Sequence, residues 1–209
     1  MRPPFSTPPL FSINTSPPLF HWSSLPLSPA ASRDPALSRL AQALFSCDAM
    51  RVSSTADVTG VEIAGALKNV LAIAAGIVDG MGLGLNAKAS VVAHGTREIR
   101  WLAEAMGADP GTVNGVAGLG DIMLTCYGDL SRNRSVGLRL GAGESLEAIL
   151  GESTQVAEGV ATARVSSKLA LRHRVALPVL TAVDQVLEGT LDPREAVAAV
   201  MSLPQIEER

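Results

Sequence analysis

Residues 61–78 read VEIAGALKNVLAIAAGIV. The run approaches the length of a membrane span, which takes about 20 apolar residues, but Glu62, Lys68 and Asn69 interrupt it. A lysine near the centre of a span opposes insertion by about 3 kcal/mol, so the stretch is read as a helix buried in a protein core. Downstream, residues 87–105 keep a helical period, with Asn86 ahead of them and Gly107 placed to cap the end. Asp109-Pro110 and Asp192-Pro193 each pair an N-cap acid with a proline at the first helical position. Ser145 opens a helix toward Leu150, and Glu158–His173 and Pro178–Leu187 make two more. No apolar/polar alternation of useful length appears, so the expected class is mainly α, with no internal repeat.

Upstream the chain changes character. Nine of the thirteen prolines and seven serines fall within residues 1–35, and no acid precedes Asp34. Such a stretch cannot bury enough apolar surface to offset its ordering entropy, so residues 1–34 are expected to be disordered. They contain no continuous apolar run of the secretory kind. Their acid-poor, serine-rich make-up has the character of an organelle transit peptide, with a mispredicted gene start as the alternative. A short amphipathic helix over residues 36–45 and a strand over residues 50–54 follow, the strand read as the last of some preceding sheet and left without partners.

Seventeen basic against twenty acidic residues leave a net charge of −3, which offers no broad attraction for nucleic acid or an anionic membrane surface. Cys47 and Cys126 lie far apart with no CxxC spacing, so neither a disulfide framework nor a zinc site is indicated. A reducing compartment fits.

Three segments carry polar groups that need explaining. In Gly65-Ala66-Leu67-Lys68-Asn69, a lysine and an amide sit inside the apolar helix. At helical spacing Lys68 neighbours Ala64, Gly65, Leu71 and Ala72, a small-residue face that lets a ligand approach an ammonium group. Removal from water lowers a lysine pKa and fits the group for proton exchange near neutrality. The plainer alternative is a lysine that snorkels to the surface or pairs with Glu62 or Asp79. In Gly115-Val-Ala-Gly118-Leu-Gly120-Asp121, a flexible loop delivers an acid, which is either a site residue or the N-cap of a short helix through Thr125. In Ser131-Arg132-Asn133-Arg134, a hydroxyl, guanidinium groups and an amide with few acids nearby suit a phosphate, or form a solvated basic turn. Gly82-Leu-Gly84-Leu-Asn-Ala87 satisfies G-x-G-x-x-A formally, but it follows a helix instead of a strand, the wrong setting for a dinucleotide.

Taken in order, VEIAGALKNV (residues 61–70), AGLGD (117–121) with Thr125-Cys126, Ser131-Arg132-Asn133, and QVAEG (155–159) resemble the C-terminal half of bacterial-type NAD(P)-dependent glycerol-3-phosphate dehydrogenases. The likeness runs over roughly residues 36–207. It implies a helical bundle like the C-terminal domain of 6-phosphogluconate dehydrogenase over residues 59–209, with residues 35–58 a remnant of the end of a nucleotide-binding domain. It also implies interconversion of sn-glycerol 3-phosphate and dihydroxyacetone phosphate with NAD or NADP. Lys68 is then the catalytic proton donor and acceptor, positioned with the help of Asp121 and supported by Asn69. Asn69, Asp121, Thr125, Ser131, Arg132 and Asn133 join Lys68 in binding substrate, while Arg132, Val156 and Glu158 approach the cofactor. No metal is implied. A homodimer is implied, with Pro178–Leu187 as either its interface or plain core, in the cytoplasm or, if residues 1–34 are a transit peptide, in a plastid. The family's N-terminal half opens with G-x-G-x-x-G, which this sequence lacks, so the chain is expected to bind the cofactor weakly and to turn over poorly by itself. Two alternatives stand beside this reading: a non-catalytic phosphometabolite-binding or dimerisation module derived from the enzyme, and a related dehydrogenase for a 3-hydroxy acid or ketopantoate, which explains Ser131-Arg132-Asn133 less well.

Overall fold

The computed structural model describes residues 27–152 and 156–203. The expected apolar helix runs Val58–Gly80 (α2) and is the axis of the fold, with Val70, Leu71, Ala72, Ile73 and Ala75 fully buried. Asp57 starts it: one carboxylate oxygen accepts from the Gly60 N–H at 2.9 Å and the other from the Asp109 N–H at 2.9 Å. Burial works against ionisation of Asp57. The hydrogen bonds from Gly60, Thr112 and Asp109 outweigh it and hold its carboxyl below the usual range.

Around α2 pack α3 (Gly84–Ala105), α5 (Asp121–Tyr127), α6 (Arg132–Gly141), α8 (Glu158–His173) and α9 (Pro178–Leu187). The short α4 (Pro110–Asn114), α7 (Leu146–Glu152) and α10 (Pro193–Met201) complete the bundle among the described residues. Asp109 and Asp192 cap α4 and α10 from ahead of their prolines. The helix α3 begins at Gly84, three residues before the expected start after Asn86. Gly82 and Gly84 both take positive φ, +68° and +83°, to make the turn between α2 and α3. The G-x-G-x-x-A string therefore links two helices.

The α2–α6 crossing is the tightest in the molecule. A methyl group on Gly137 would lie 2.0 Å from the Ile73 carbonyl oxygen, and one on Gly76 would lie 2.1 Å from that of Arg134. Glycines on both helices let the backbones touch, so α6 is held rigidly against the helix that carries Lys68 and Asn69.

The N-terminal region departs from expectation in two ways. Residues 1–26 lie outside the described residues, but Leu27–Ala31, placed by composition in the disordered stretch, is a strand (β1). It pairs in parallel with Arg51–Thr55 (β2), Leu27 opposite Arg51, so the expected orphan strand has a partner. The helix α1 (Pro35–Phe45) connects them, and Gln42 ties it to β2 by donating to the Val52 carbonyl at 2.8 Å. Proline content misled the reading because proline is tolerated on a sheet edge, where its missing N–H costs nothing. Leu37, Leu40, Leu44 and Phe45 of α1 remain exposed.

Candidate active site

The three polar segments meet along the middle of α2, Asp121 at Lys68 and Asn133 at Asn69. Lys68 Nζ lies 2.5 Å from Asp121 Oδ2, a pair separated by 53 residues and about a quarter to a third exposed. The partner is thus neither Glu62, which is exposed, nor Asp79. Gly118 makes this possible. It sits in the π-helical turn Val116–Gly120 so close to Val113 that a Cβ would lie 2.2 Å from a backbone carbonyl oxygen. Asp121 then begins α5 without capping it, and its carboxylate is spent on the lysine. Thr125, one turn on, donates to the Asp121 carbonyl at 2.6 Å and lies 3.5 Å from Oδ1.

Of the small neighbours of Lys68, Ala64, Leu71 and Ala72 prove to be core. Only Gly65 faces open space, with nothing within 4 Å of the position a Cβ would take. Gly65 is therefore the open position beside the lysine.

One residue further along α2, Asn69 is buried and joins a chain of amides. Its Oδ1 accepts from Asn133 Nδ2 at 3.0 Å, and its Nδ2 donates to Glu158 Oε2 at 3.3 Å. Asn133 Oδ1 in turn accepts from the Gly159 N–H at 2.8 Å. Gly159 is required there, since a Cβ would press on the Asn69 carbonyl at 2.7 Å. This network locks the starts of α6 and α8 onto α2. Ser131 caps α6 by accepting from the Arg134 N–H at 3.3 Å, while Arg132 at the first position of the helix is exposed. Val156, just ahead of α8, is 76% exposed.

Two expectations for the Ser131–Arg134 string need correction. It is not short of acids: Arg134 Nε pairs with Asp79 Oδ2 at 2.7 Å and its Nη1 with Asp129 at 3.0 Å. Nor does Asn133 sit open beside Arg132. It is 8% exposed and its carbonyl oxygen is committed inward. Successive helical positions point about 100° apart, and that rotation separates the outward Arg132 from the inward Asn133.

The residues that sequence reasoning missed are buried charges. Lys88 is 2% exposed, donates to Asp79 Oδ2 at 2.7 Å and lies 4.5 Å from the centre of the Tyr127 ring. Asp79 thus bridges Lys88 and Arg134 beneath the site. Glu98 of α3, also 2% exposed, accepts from the Val179 and Leu180 N–H groups at 2.8 and 3.1 Å and so caps α9 from another helix. Burial pushes its carboxyl up to about 7, against the pull of those two hydrogen bonds and of Arg97. A signal existed for Glu98: it falls seven residues after Val91 and four before Leu102, on the apolar stripe of α3. Lys88 carried the same signal, three residues before Val91 and four before Val92. Cys126 is no nucleophile, because burial pushes its thiol up to about 12 even with Lys88 nearby. No cluster of three metal-ligating side chains occurs among the described residues. The apolar residues Val179, Leu180, Val183 and Val186 of α9 are core, which leaves them unavailable as an interface.

Comparison with known proteins shows what the chain is similar to. Residues 57–198 match the family model described as NAD-dependent glycerol-3-phosphate dehydrogenase C-terminus. The chain is 58% identical over 178 residues to a chloroplastic glycerol-3-phosphate dehydrogenase [NAD(+)] of Arabidopsis thaliana, covering 85% of this chain and 42% of that protein. It is 52% identical over 173 residues to the glycerol-3-phosphate dehydrogenase [NAD(P)+] of Aromatoleum aromaticum, covering 82% of this chain and 53% of that protein. Among solved structures, the glycerol-3-phosphate dehydrogenase of Coxiella burnetii superimposes with a TM-score of 0.82 at 35% identity, over 87% of this chain and 56% of the other. The chain spans about half the length of the curated relatives it matches. NAD or NADP is the cofactor of that group of oxidoreductases. With its matched segment reaching from the cap of α2 into α10, the chain belongs to the NAD-dependent glycerol-3-phosphate dehydrogenase family, whose C-terminal helical domain it carries.

Proposed function

We propose that this chain forms the substrate-binding and proton-transfer part of a glycerol-3-phosphate dehydrogenase that interconverts sn-glycerol 3-phosphate and dihydroxyacetone phosphate. The observation that carries the reading is the 2.5 Å contact between Lys68 and Asp121, made at the open Gly65 face of α2. Lys68 gives a proton to the carbonyl oxygen at carbon 2 of dihydroxyacetone phosphate, or accepts one from the hydroxyl of glycerol 3-phosphate. Asp121 holds the ammonium in position, and Thr125 steadies Asp121. The substrate phosphate is received at the start of α6 by Ser131 and Arg132, where helix polarity and a guanidinium both favour an anion. Asn69 and Asn133 act from behind, fixing the helices that bear Lys68 and Arg132.

A nicotinamide dinucleotide suits the same face, because the Arg132 guanidinium and the Val156 side chain are exposed around the Asn69–Asn133–Glu158 network. When bound, it supplies or takes the hydride at carbon 2. On this chain Arg132, Val156 and Glu158 are the residues that would meet it.

The test uses a full-length family enzyme carrying this domain. Lys68→Ala is expected to lower kcat at least about 100-fold, the usual scale for an acid–base group, whereas Arg132→Ala is expected to act chiefly on KM for dihydroxyacetone phosphate. Unchanged turnover in the first variant removes Lys68 from the mechanism, and an unaltered KM in the second contradicts the phosphate site.

A plastid address in the N-terminal segment fits both its composition and the chloroplastic names of the Arabidopsis and rice relatives. Because Leu27–Ala31 is a strand of the fold, such an address would end before residue 27. Residues 1–26 fused to a fluorescent reporter should direct it to chloroplasts; a cytoplasmic signal would sink this assignment.

A further inference from the structure

On the far side of α8 lies a groove of about 480 Å3 that the proposed reaction does not use. It is bounded by Ser167, Leu171 and Arg174 from the end of α8 and by Val175, Leu177 and Thr181 leading into α9. Three observations mark it. Arg174 is the one non-glycine residue with positive φ among the described residues, at 58°, in the position after a helix that glycine usually fills. Keeping a side chain there costs backbone energy, and such outliers concentrate where the side chain has a task. The Arg174 guanidinium, moreover, takes part in none of the ion pairs found among the described residues. Finally, Ser167 Oγ is buried in the wall with no hydrogen-bond partner, an unmade bond that folded proteins seldom leave.

The chemistry of the walls is two-sided. Leu171, 82% exposed, lines the groove together with Val175 and Leu177 and offers an apolar surface. Arg174 is the one charged side chain among the residues that line it. A volume of this size is within the usual range for small-molecule sites, which combine apolar lining with a few placed polar groups.

We propose that this groove is a second small-molecule site, separate from the Lys68 pocket, for an amphiphilic anion: a short apolar body lying on Leu171, Val175 and Leu177 with an acidic head held by Arg174. Ser167, whose hydroxyl lies in the same wall without a partner, is the second polar group offered to it.

Octanoate is the probe, since its carboxylate head avoids the site argued above for phosphate. Calorimetric titration of the full chain should show saturable binding that glycerol 3-phosphate does not displace and that Arg132→Ala leaves intact. Arg174→Gly removes the guanidinium while suiting the left-handed backbone. It should weaken octanoate at least 10-fold with the melting temperature unchanged or raised. Ser167→Ala should weaken it several-fold, again without loss of stability, because no existing hydrogen bond is broken. The proposal fails if octanoate does not saturate, if Arg174→Gly binds as well as the parent, or if glycerol 3-phosphate competes. It fails equally if sedimentation shows a dimer that Leu171→Glu converts to monomer, for a second copy would then cover the groove.

Discussion

At the scale of single residues, neighbours in sequence have opposite jobs. Lys68 faces the opening beside Gly65 while Asn69 turns inward, and Arg132 is exposed while Asn133 is buried. Reading Ser131-Arg132-Asn133 as one donor set did not foresee this division. Asn133 holds Asn69 on one side and the Gly159 N–H on the other. Asn133→Ala should therefore leave a buried amide oxygen and a buried N–H unpaired, a cost of about 2–3 kcal/mol. Urea unfolding measures it, and a variant as stable as the parent would show that Asn133 serves the ligand alone. Charge and helical spacing offered Lys68 only Glu62 or Asp79, and it was the family likeness that set Asp121 beside it. The pairing depends on where the π-helical turn delivers Asp121.

At the scale of elements, caps and periodicity were legible. Glu158–His173 and Pro178–Leu187 form over the residues expected, and Asp109-Pro110 and Asp192-Pro193 start helices as such pairs should. These signals depend on neighbours within one turn. How closely two helices approach does not. The contact between α2 and α6 rests on four glycines, Gly76 and Gly80 facing α6 and Gly137 and Gly141 facing α2. Gly137→Ala would set a methyl 2.0 Å from the Ile73 carbonyl oxygen, and neither backbone can yield without moving a helix. The expected loss is about 2–3 kcal/mol, the range for overpacking a tight core, read as a lower urea midpoint. Since the two helices carry Lys68, Asn69 and Asn133, the Asn69–Asn133 hydrogen bond should weaken too. A midpoint equal to the parent's would mean that the crossing is looser than described.

At the scale of the whole molecule, Glu98 couples the bundle to pH. Its carboxyl is raised from 4.5 to about 7 in the folded protein, so between those values the native state binds the proton that the unfolded chain has lost. The associated stability is fully present below about pH 4.5 and is lost as pH rises through about 7. It amounts to at most about 3 kcal/mol from the size of the shift. Glu98→Gln keeps one acceptor for the α9 N–H groups and removes the titration. The difference in unfolding free energy between parent and variant should thus change in the parent's disfavour from pH 5 to pH 7.5. A difference independent of pH would show that Glu98 does not titrate in that window.

The amino-acid sequence by itself determined the class of the fold, the buried character of α2, most helix starts and stops, and the three segments that meet at Lys68. All of these follow from residue type and spacing within a turn or two, where backbone geometry leaves little choice. Tertiary structure alone decided that Asn133 faces inward. It also decided that Arg134 is neutralised by Asp79 and Asp129, that Glu98 caps a helix not its own, and that Leu27–Ala31 finds β2. Each joins groups brought together by packing, and a side chain's partner across such a distance is selected by how helices and strands dock, which no local pattern encodes.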